Sequence, residues 1–240
     1  MMTGTSLNAL GILTGALLGL ILMHQFSAST QVAIRGLMGV ITVFIGLRIT
    51  WFSLTGNAPQ ILKELVIVIL ALGLGRMTGS LVGIQTNLNR LGRIASDRFA
   101  AARPDDPNRL YHGFTVCTLL FCAGPLGPIG SVLAGLTDDW QPLAIKMVMD
   151  GLAAMGFACV FGGSVALSAL PVFVFQGALT LAAHCCRPFL ETNHLLDATN
   201  AVGGLMVFCV ALVILQLKKL DLGDYLPSLL AAPLIAWLWQ

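Results

Sequence analysis

Residues 4–24 read GTSLNALGILTGALLGLILMH, twenty-one positions without an Asp, Glu, Lys or Arg. At 1.5 Å per residue such a helix is about 30 Å long, the thickness of a bilayer's hydrocarbon core. The rest of the chain is of the same kind: of 240 residues, 57% are hydrophobic and 10% charged, and the mean hydropathy is +0.87. A soluble domain carries about 25% charged residues. Eleven acids and thirteen bases cannot solvate 25.4 kDa, so lipid is the solvent for most of this surface. That excludes a secreted, nuclear or cytosolic protein.

Apolar runs bounded by charges, prolines or polar clusters place spans at about 4–24, 32–53, 60–78, 112–136, 141–162, 164–184, 200–217 and 225–239. The expected fold is an all-α transmembrane helix bundle of seven or eight spans, a single domain over 1–240 with no room for a soluble catalytic domain. The first run has no base before it and stays apolar, so it reads as a permanent helix rather than a cleaved signal. The fourth contains AGPLGPIG, Ala123 to Gly130. Two prolines and three glycines there break the helix, and the freed backbone groups must face protein or a wet cavity.

Bases set the orientation. Arg76, Arg90, Arg93, Arg98, Arg103 and Arg109 follow the third span, the densest basic run in the chain, which places that segment in the cytoplasm. Eight spans then put both termini outside. Arg35, Lys218 and Lys219 also fall inside, Asp138 and Asp139 outside, and Trp51, Trp140, Trp237 and Trp239 at the outer interface, as indole rings prefer. Within residues 80–110, Leu81, Ile84, Leu88, Leu91, Ile94 and Phe99 recur at helical spacing opposite arginines, which predicts an amphipathic helix on the inner leaflet over 80–100, followed by a solvated linker over 101–110. The expected partner of this face is the lipid bilayer, not nucleic acid.

A shift of 168 lays Gly36, Leu37 and Met38 on Gly204, Leu205 and Met206, Pro59 on Pro227, and Asn8 on Gln176. Spans one to three thus correspond to spans six to eight, and the two intervening spans invert the second copy, as in many secondary transporters. Chance matches in so Leu- and Gly-rich a chain are the alternative.

Polar residues inside spans are costly and therefore informative. Asp150 lies about eight residues into the fifth span, with Lys146 one turn earlier on the same face. The pair is either a structural ion pair or part of a pathway for a proton, cation or solute. Gln176 and the break at Gly124, Pro125, Gly127 and Pro128 are its expected companions. Gly4, Asn8, Gly11, Gly15 and Gly19, at steps of four, three, four and four, share one face of the first helix. The glycines read as a close helix contact, within the chain or in a homo-oligomer, and Asn8 as interhelical glue or a solute contact. Arg48, Lys63 and Glu64 read as outer-interface residues whose long chains snorkel. His184, Cys185, Cys186 and His194 match no standard zinc spacing, and the six cysteines lack CxxC spacing, so no metal or disulfide framework is expected. No hydrolase, zincin, phosphate-loop or dinucleotide motif occurs, so neither an enzyme nor a cofactor is expected.

These residues carry a family resemblance. GTSLNALGILTGALLG at Gly4–Gly19, Gly36, Leu37, Ile45 and Gly46, the block LFCAGPLGPIGSVLAGLTDD with Lys146, Asp150 and Gly151, then Ser168 to Pro171, Gln176, Gly177, Ala201 to Gly204, Leu226 and Pro227 follow one another in a specific order. The chain resembles the domain-of-unknown-function 554 family of bacterial inner-membrane proteins, over nearly its whole length. The resemblance implies a membrane fold and points to transport, without a settled activity. Met147 stands where the family pattern has Ser, and Asp224 where it has Asn. The expected function is a transporter of a small solute or ion through Asp150, Lys146, Asn8, Gln176 and the broken span. The alternative is a membrane scaffold or assembly protein.

Overall fold

A computed structural model describes residues 2–23, 25–101 and 108–239. Residues 102–107, most of the expected linker, lie outside the described residues. The fold is all-helical, with eleven α-helices and no strand among the described residues. They are α1 Thr3–Leu22, α2 Ala28–Ser53, α3 Ala58–Val82, α4 Ile84–Ala100, α5 Arg109–Ala123, α6 Leu126–Thr137, α7 Gln141–Phe161, α8 Ser164–Leu167, α9 Ala169–Thr192, α10 Leu196–Ile214 and α11 Ser228–Leu238. Local chemistry sets several boundaries. The Ser27 side chain accepts the Thr30 N–H at 3.2 Å to open α2, and Asn57 forms a capping box with Gln60 ahead of Pro59 at α3. Gly83, at φ 71°, makes the left-handed turn from α3 into α4.

Six segments are long and apolar enough to cross a membrane, and the pair α5 and α6 makes a seventh, bent by 59°. The bend falls at the expected break. Gly124 precedes Pro125 and is extended (φ −65°, ψ 128°), as the residue before a proline must be, while Pro125 and Pro128 supply no N–H to the new helix. The expected eighth span is shorter than predicted. Leu222–Leu238 is a 3-10 turn followed by eleven residues of α11, about 16 Å of helix. Asp221, Gly223, Asp224 and Pro227 spend its first part on the turn.

Helices meet along glycines. In α1, Gly4, Gly11, Gly15 and Gly19 face Leu143, Met147, Gly151 and Met155 of α7 in the same order, so the two run parallel. A Cβ at Gly11 would stand 2.6 Å from the Met147 carbonyl oxygen, and one at Gly15 would overlap the Gly151 carbonyl. The stripe is therefore used inside the chain. Gly127 and Gly135 of α6 meet Gln176 and Thr180 of α9, again parallel. By contrast α2 and α10 are antiparallel, Gly39 meeting Leu215 and Gly46 meeting Gly204, as are α3 and α11, where Gly75 meets Ser228 and Gly79 meets Asp224.

The positions related by the shift of 168 are unevenly matched. Asn8 and Gln176 touch, and Pro59 and Pro227 both stand at helix starts. Gly36, however, has nothing within 4 Å, whereas Gly204 lies against Thr50 and Gly46.

Part of the expected apolar stripe of 80–100 packs on protein, while Leu81, Ile94 and Phe99 keep exposed surface. Leu88 packs on Gly223, Ala95 is fully buried, and Phe99 sets its ring edge-on to Phe157 and Phe161 at centroid distances of 5.4 and 5.6 Å. Gln85 ties the helix start to the 3-10 turn: its N–H donates to Asp224 Oδ1 at 2.8 Å and its Oε1 accepts the Gly223 N–H at 2.7 Å. Arg90 and Arg93 remain exposed.

Because Gly15 touches backbone rather than a flexible side chain, Gly15→Val is expected to lower the unfolding free energy by about 3 kcal/mol or more, at the upper end of overpacking costs. Gly36→Val is expected to change it little. Denaturant titration of the two detergent-purified variants separates them; equal losses would overturn the close contact.

Candidate functional site

Four polar side chains from three helices meet in the middle of the bundle. Lys146 Nζ lies 3.0 Å from Asp150 Oδ1 and 2.7 Å from Oδ2, joining the two across one turn of α7. From α1, Asn8 Nδ2 donates to Asp150 Oδ2 and to Gln176 Oε1 of α9, each at 3.2 Å. Asn8 and Gln176 are fully buried, and Lys146 and Asp150 are 4% and 8% exposed. One level further, the Thr5 and Thr180 hydroxyls pair at 3.3 Å. The carboxylate needs a donor, which fixes the Asn8 amide with Nδ2 toward Asp150. Asn8 Oδ1 and Gln176 Nε2 are then left without a protein partner. An unmet buried polar group costs about 1–3 kcal/mol.

A cavity of about 310 Å³ leads from the end of the bundle that carries α4 to the ion pair. Gly124, Pro125, Lys146, Met149 and Asp150 line it, with Val210 and Ile214 of α10 opposite. Arg35 and Met149 also line a neighbouring cavity of about 300 Å³. The bend creates room here, and the absence of side chains at two glycines lets Lys146 through. A Cβ on Gly124 would lie 3.6 Å from Lys146 Nζ, and one on Gly127 would lie 3.3 Å from Lys146 Cε and 3.4 Å from Gln176 Nε2.

The structure thus brings Asn8, Lys146, Asp150 and Gln176 together and sets Gly124, Pro125 and Gly127 beside them. Pro128 is half-buried and off the cavity wall, where it serves the bend. Gly4, Gly11, Gly15 and Gly19 hold α1 against α7. Met147 faces Gly11 of α1, so the departure from the family pattern at 147 falls on a helix contact and not on the cavity.

Several participants escaped the sequence. Arg35 at the cavity mouth carried only the signal of a base near a span end. At the opposite end of the bundle Arg48 pairs with Asp139, and Arg187 pairs with Asp138 at 2.8 Å and with Glu191 at 2.7 Å. His184, Cys185, Cys186 and His194 are all exposed, and no group of three His, Cys, Asp or Glu able to hold a metal occurs among the described residues.

Comparison with known proteins follows the same lines. A family model described as "Protein of unknown function (DUF554)" matches residues 3–237. The chain is 28% identical over 234 residues to "Uncharacterized membrane protein YdfK" of Bacillus subtilis (strain 168), covering 98% of this chain and 95% of that one. It is 27% identical over 240 residues to "Uncharacterized protein YqgA" of Escherichia coli (strain K12), covering 100% of this chain and 98% of the relative. No solved structure matches.

Removing one member of a buried ion pair strands the other charge, at a cost of about 3–5 kcal/mol. Lys146→Met and Asp150→Leu are each expected to lose stability on that scale, and the double variant to recover most of it. A double-mutant cycle by chemical denaturation reads this directly, and additive losses would show that the two side chains do not act as a pair.

Proposed function

The chain belongs to the DUF554 family, and from that premise we propose that it is a transporter that moves a small solute or ion across the bacterial inner membrane by alternating access. One observation carries the proposal: Asn8, Lys146, Asp150 and Gln176 form one buried polar set, and two of its members, Lys146 and Asp150, line a cavity of about 310 Å³ together with Arg35. Intramembrane charges facing a cavity are the usual mark of a substrate or ion path. The ion pairs Arg48–Asp139 and Arg187–Asp138 lie at the far end, where they serve as the closed gate.

The exposed arginines of α4 support a cytoplasmic position for the end of the bundle that carries Arg35. On this assignment the captured state faces inward. Antiparallel partnering of α2 with α10 and α3 with α11, and the Asn8–Gln176 contact, support a two-fold relation between the outer helix triplets, the arrangement in which rocking about a central site exchanges access. The scaffold alternative has glycine faces for helix association and the amphipathic arm as a docking element; of these, the glycines of α1 are engaged by α7 within the chain.

Single cysteines at Gly124 and Met149, in a background with the six native cysteines replaced, test the path. Membrane-impermeant thiol reagents are expected to modify both from the cytoplasmic side, in inside-out vesicles, and Leu133→Cys, which is fully buried, to stay unmodified. Sealed positions 124 and 149 would return the weight to a scaffold.

A further inference from the structure

Resting on the transporter reading above, we infer that the solute is a small organic monocarboxylate bound together with one proton: its carboxylate replaces Asp150 on Lys146, and Asp150 takes up the proton from water.

Charge accounting leads there. The cavity wall carries two cations, Arg35 and Lys146, and one anion, Asp150. Lys146 is engaged by both carboxylate oxygens of Asp150, while Arg35 forms no ion pair among the described residues. Arg35 therefore attracts anions, and the Lys146–Asp150 end of the cavity is neutral. A second carboxylate at Lys146 would set two anions against one ammonium, the other cation of the cavity, Arg35, not being paired to Asp150, and this local excess of negative charge is costly at low dielectric unless one carboxylate is neutralised. A proton on Asp150 does this, and no bond other than O–H forms or breaks. The groups facing Asp150 allow it: Lys146 on its own helix, Asn8 from α1, Gln176 from α9, the Cys122 thiol from α5 within electrostatic range, and Arg35 of α2 across the cavity, with only apolar Val210, Val213 and Ile214 from α10.

The amides fit both states. With Asp150 ionised, Asn8 donates to it and leaves its own oxygen unused; with Asp150 protonated, the new O–H needs an acceptor, which the unpartnered Asn8 Oδ1 provides when the amide turns over. The unpartnered Gln176 Nε2 is a donor available to the displaced arrangement. Apolar walls from Leu120, Leu126, Met149 and Ile214 suit a short carbon chain, and about 310 Å³ is at the small end of ligand pockets. A single ammonium beside Asp150 favours one negative charge over two.

Calorimetric titration of the detergent-purified protein tests the inference, with L-lactate and 2-oxobutyrate as probes and succinate, inorganic phosphate, ethanolamine and lactamide as comparisons, in buffers of different ionisation enthalpy. Both monocarboxylates are expected to bind with uptake of one proton, and affinity to fall about tenfold per unit rise in pH. Asp150→Asn, neutral at every pH, is expected to lose the proton uptake and the pH slope, and its melting temperature to rise more with L-lactate than the wild type's. Should that variant fail to fold, the wild-type proton count decides alone. Binding without proton uptake, tighter binding of ethanolamine or succinate, or no binding of either monocarboxylate overturns the inference. Uptake of labelled probes into proteoliposomes separates the two levels: proton-coupled lactate binding without uptake overturns the transporter reading, whereas uptake of ethanolamine or lactamide keeps it and removes the carboxylate.

Discussion

A carboxylate and an ammonium share the middle of this bundle, and most of the architecture follows from accommodating them. Transfer of each ion from water costs several kcal/mol, which only close pairing and further hydrogen bonds offset. Lys146 and Asp150 obtain the first from i,i+4 placement on α7. The further bond comes from Asn8, and it requires α1 to lie against α7 at backbone distance, which only small residues on both helices permit. The lysine stem needs space on its other side, and the bend at Gly124–Pro125 leaves it.

Lipid offers no hydrophobic drive for one apolar helix to prefer another, so association rests on dispersion at close range and on buried hydrogen bonds. Here the closest approaches come in two kinds. Parallel contacts, α1 on α7 and α6 on α9, surround the charged pair, while antiparallel contacts, α2 on α10 and α3 on α11, lie to its side. The parallel contacts bring α1, α6, α7 and α9 into one polar centre. The antiparallel ones contribute apolar surface, including Ile45, Val68, Val202 and Val207 of a single core cluster.

Much of the central cluster was legible because its members are anomalies in apolar context: Asp150 and Lys146 a turn apart, Asn8 on a glycine face, Gln176 at the same offset as two other matches. The break was legible from two prolines. What the sequence concealed depends on tertiary distance or on what covers a face. Arg48 and Asp139 are 91 positions apart, and neither is unusual at a span end. Arg35 becomes a cavity residue only because the bend elsewhere opens the cavity. Periodicity located the apolar stripe of α4, yet the stripe is the same whether lipid or protein meets it. Hydropathy marked residues 225–239 as apolar enough for a span but is blind to the turn that shortens the helix.

The two ends of α4 are fastened to different parts of the molecule: Gln85 to the turn before α11, and Phe99 to the end of α7 that carries Phe157 and Phe161. Seventeen helical residues between Gly83 and Ala101 make a rod about 25 Å long, and a helix does not stretch. A rod pinned at both ends acts as a tie bar. It holds the separation of its two anchors nearly constant and permits them to swing, with the left-handed Gly83 as the pivot at one end. Any change in shape at this face of the bundle is thereby confined to rotation about the bar, and its amplitude is set by the length of α4.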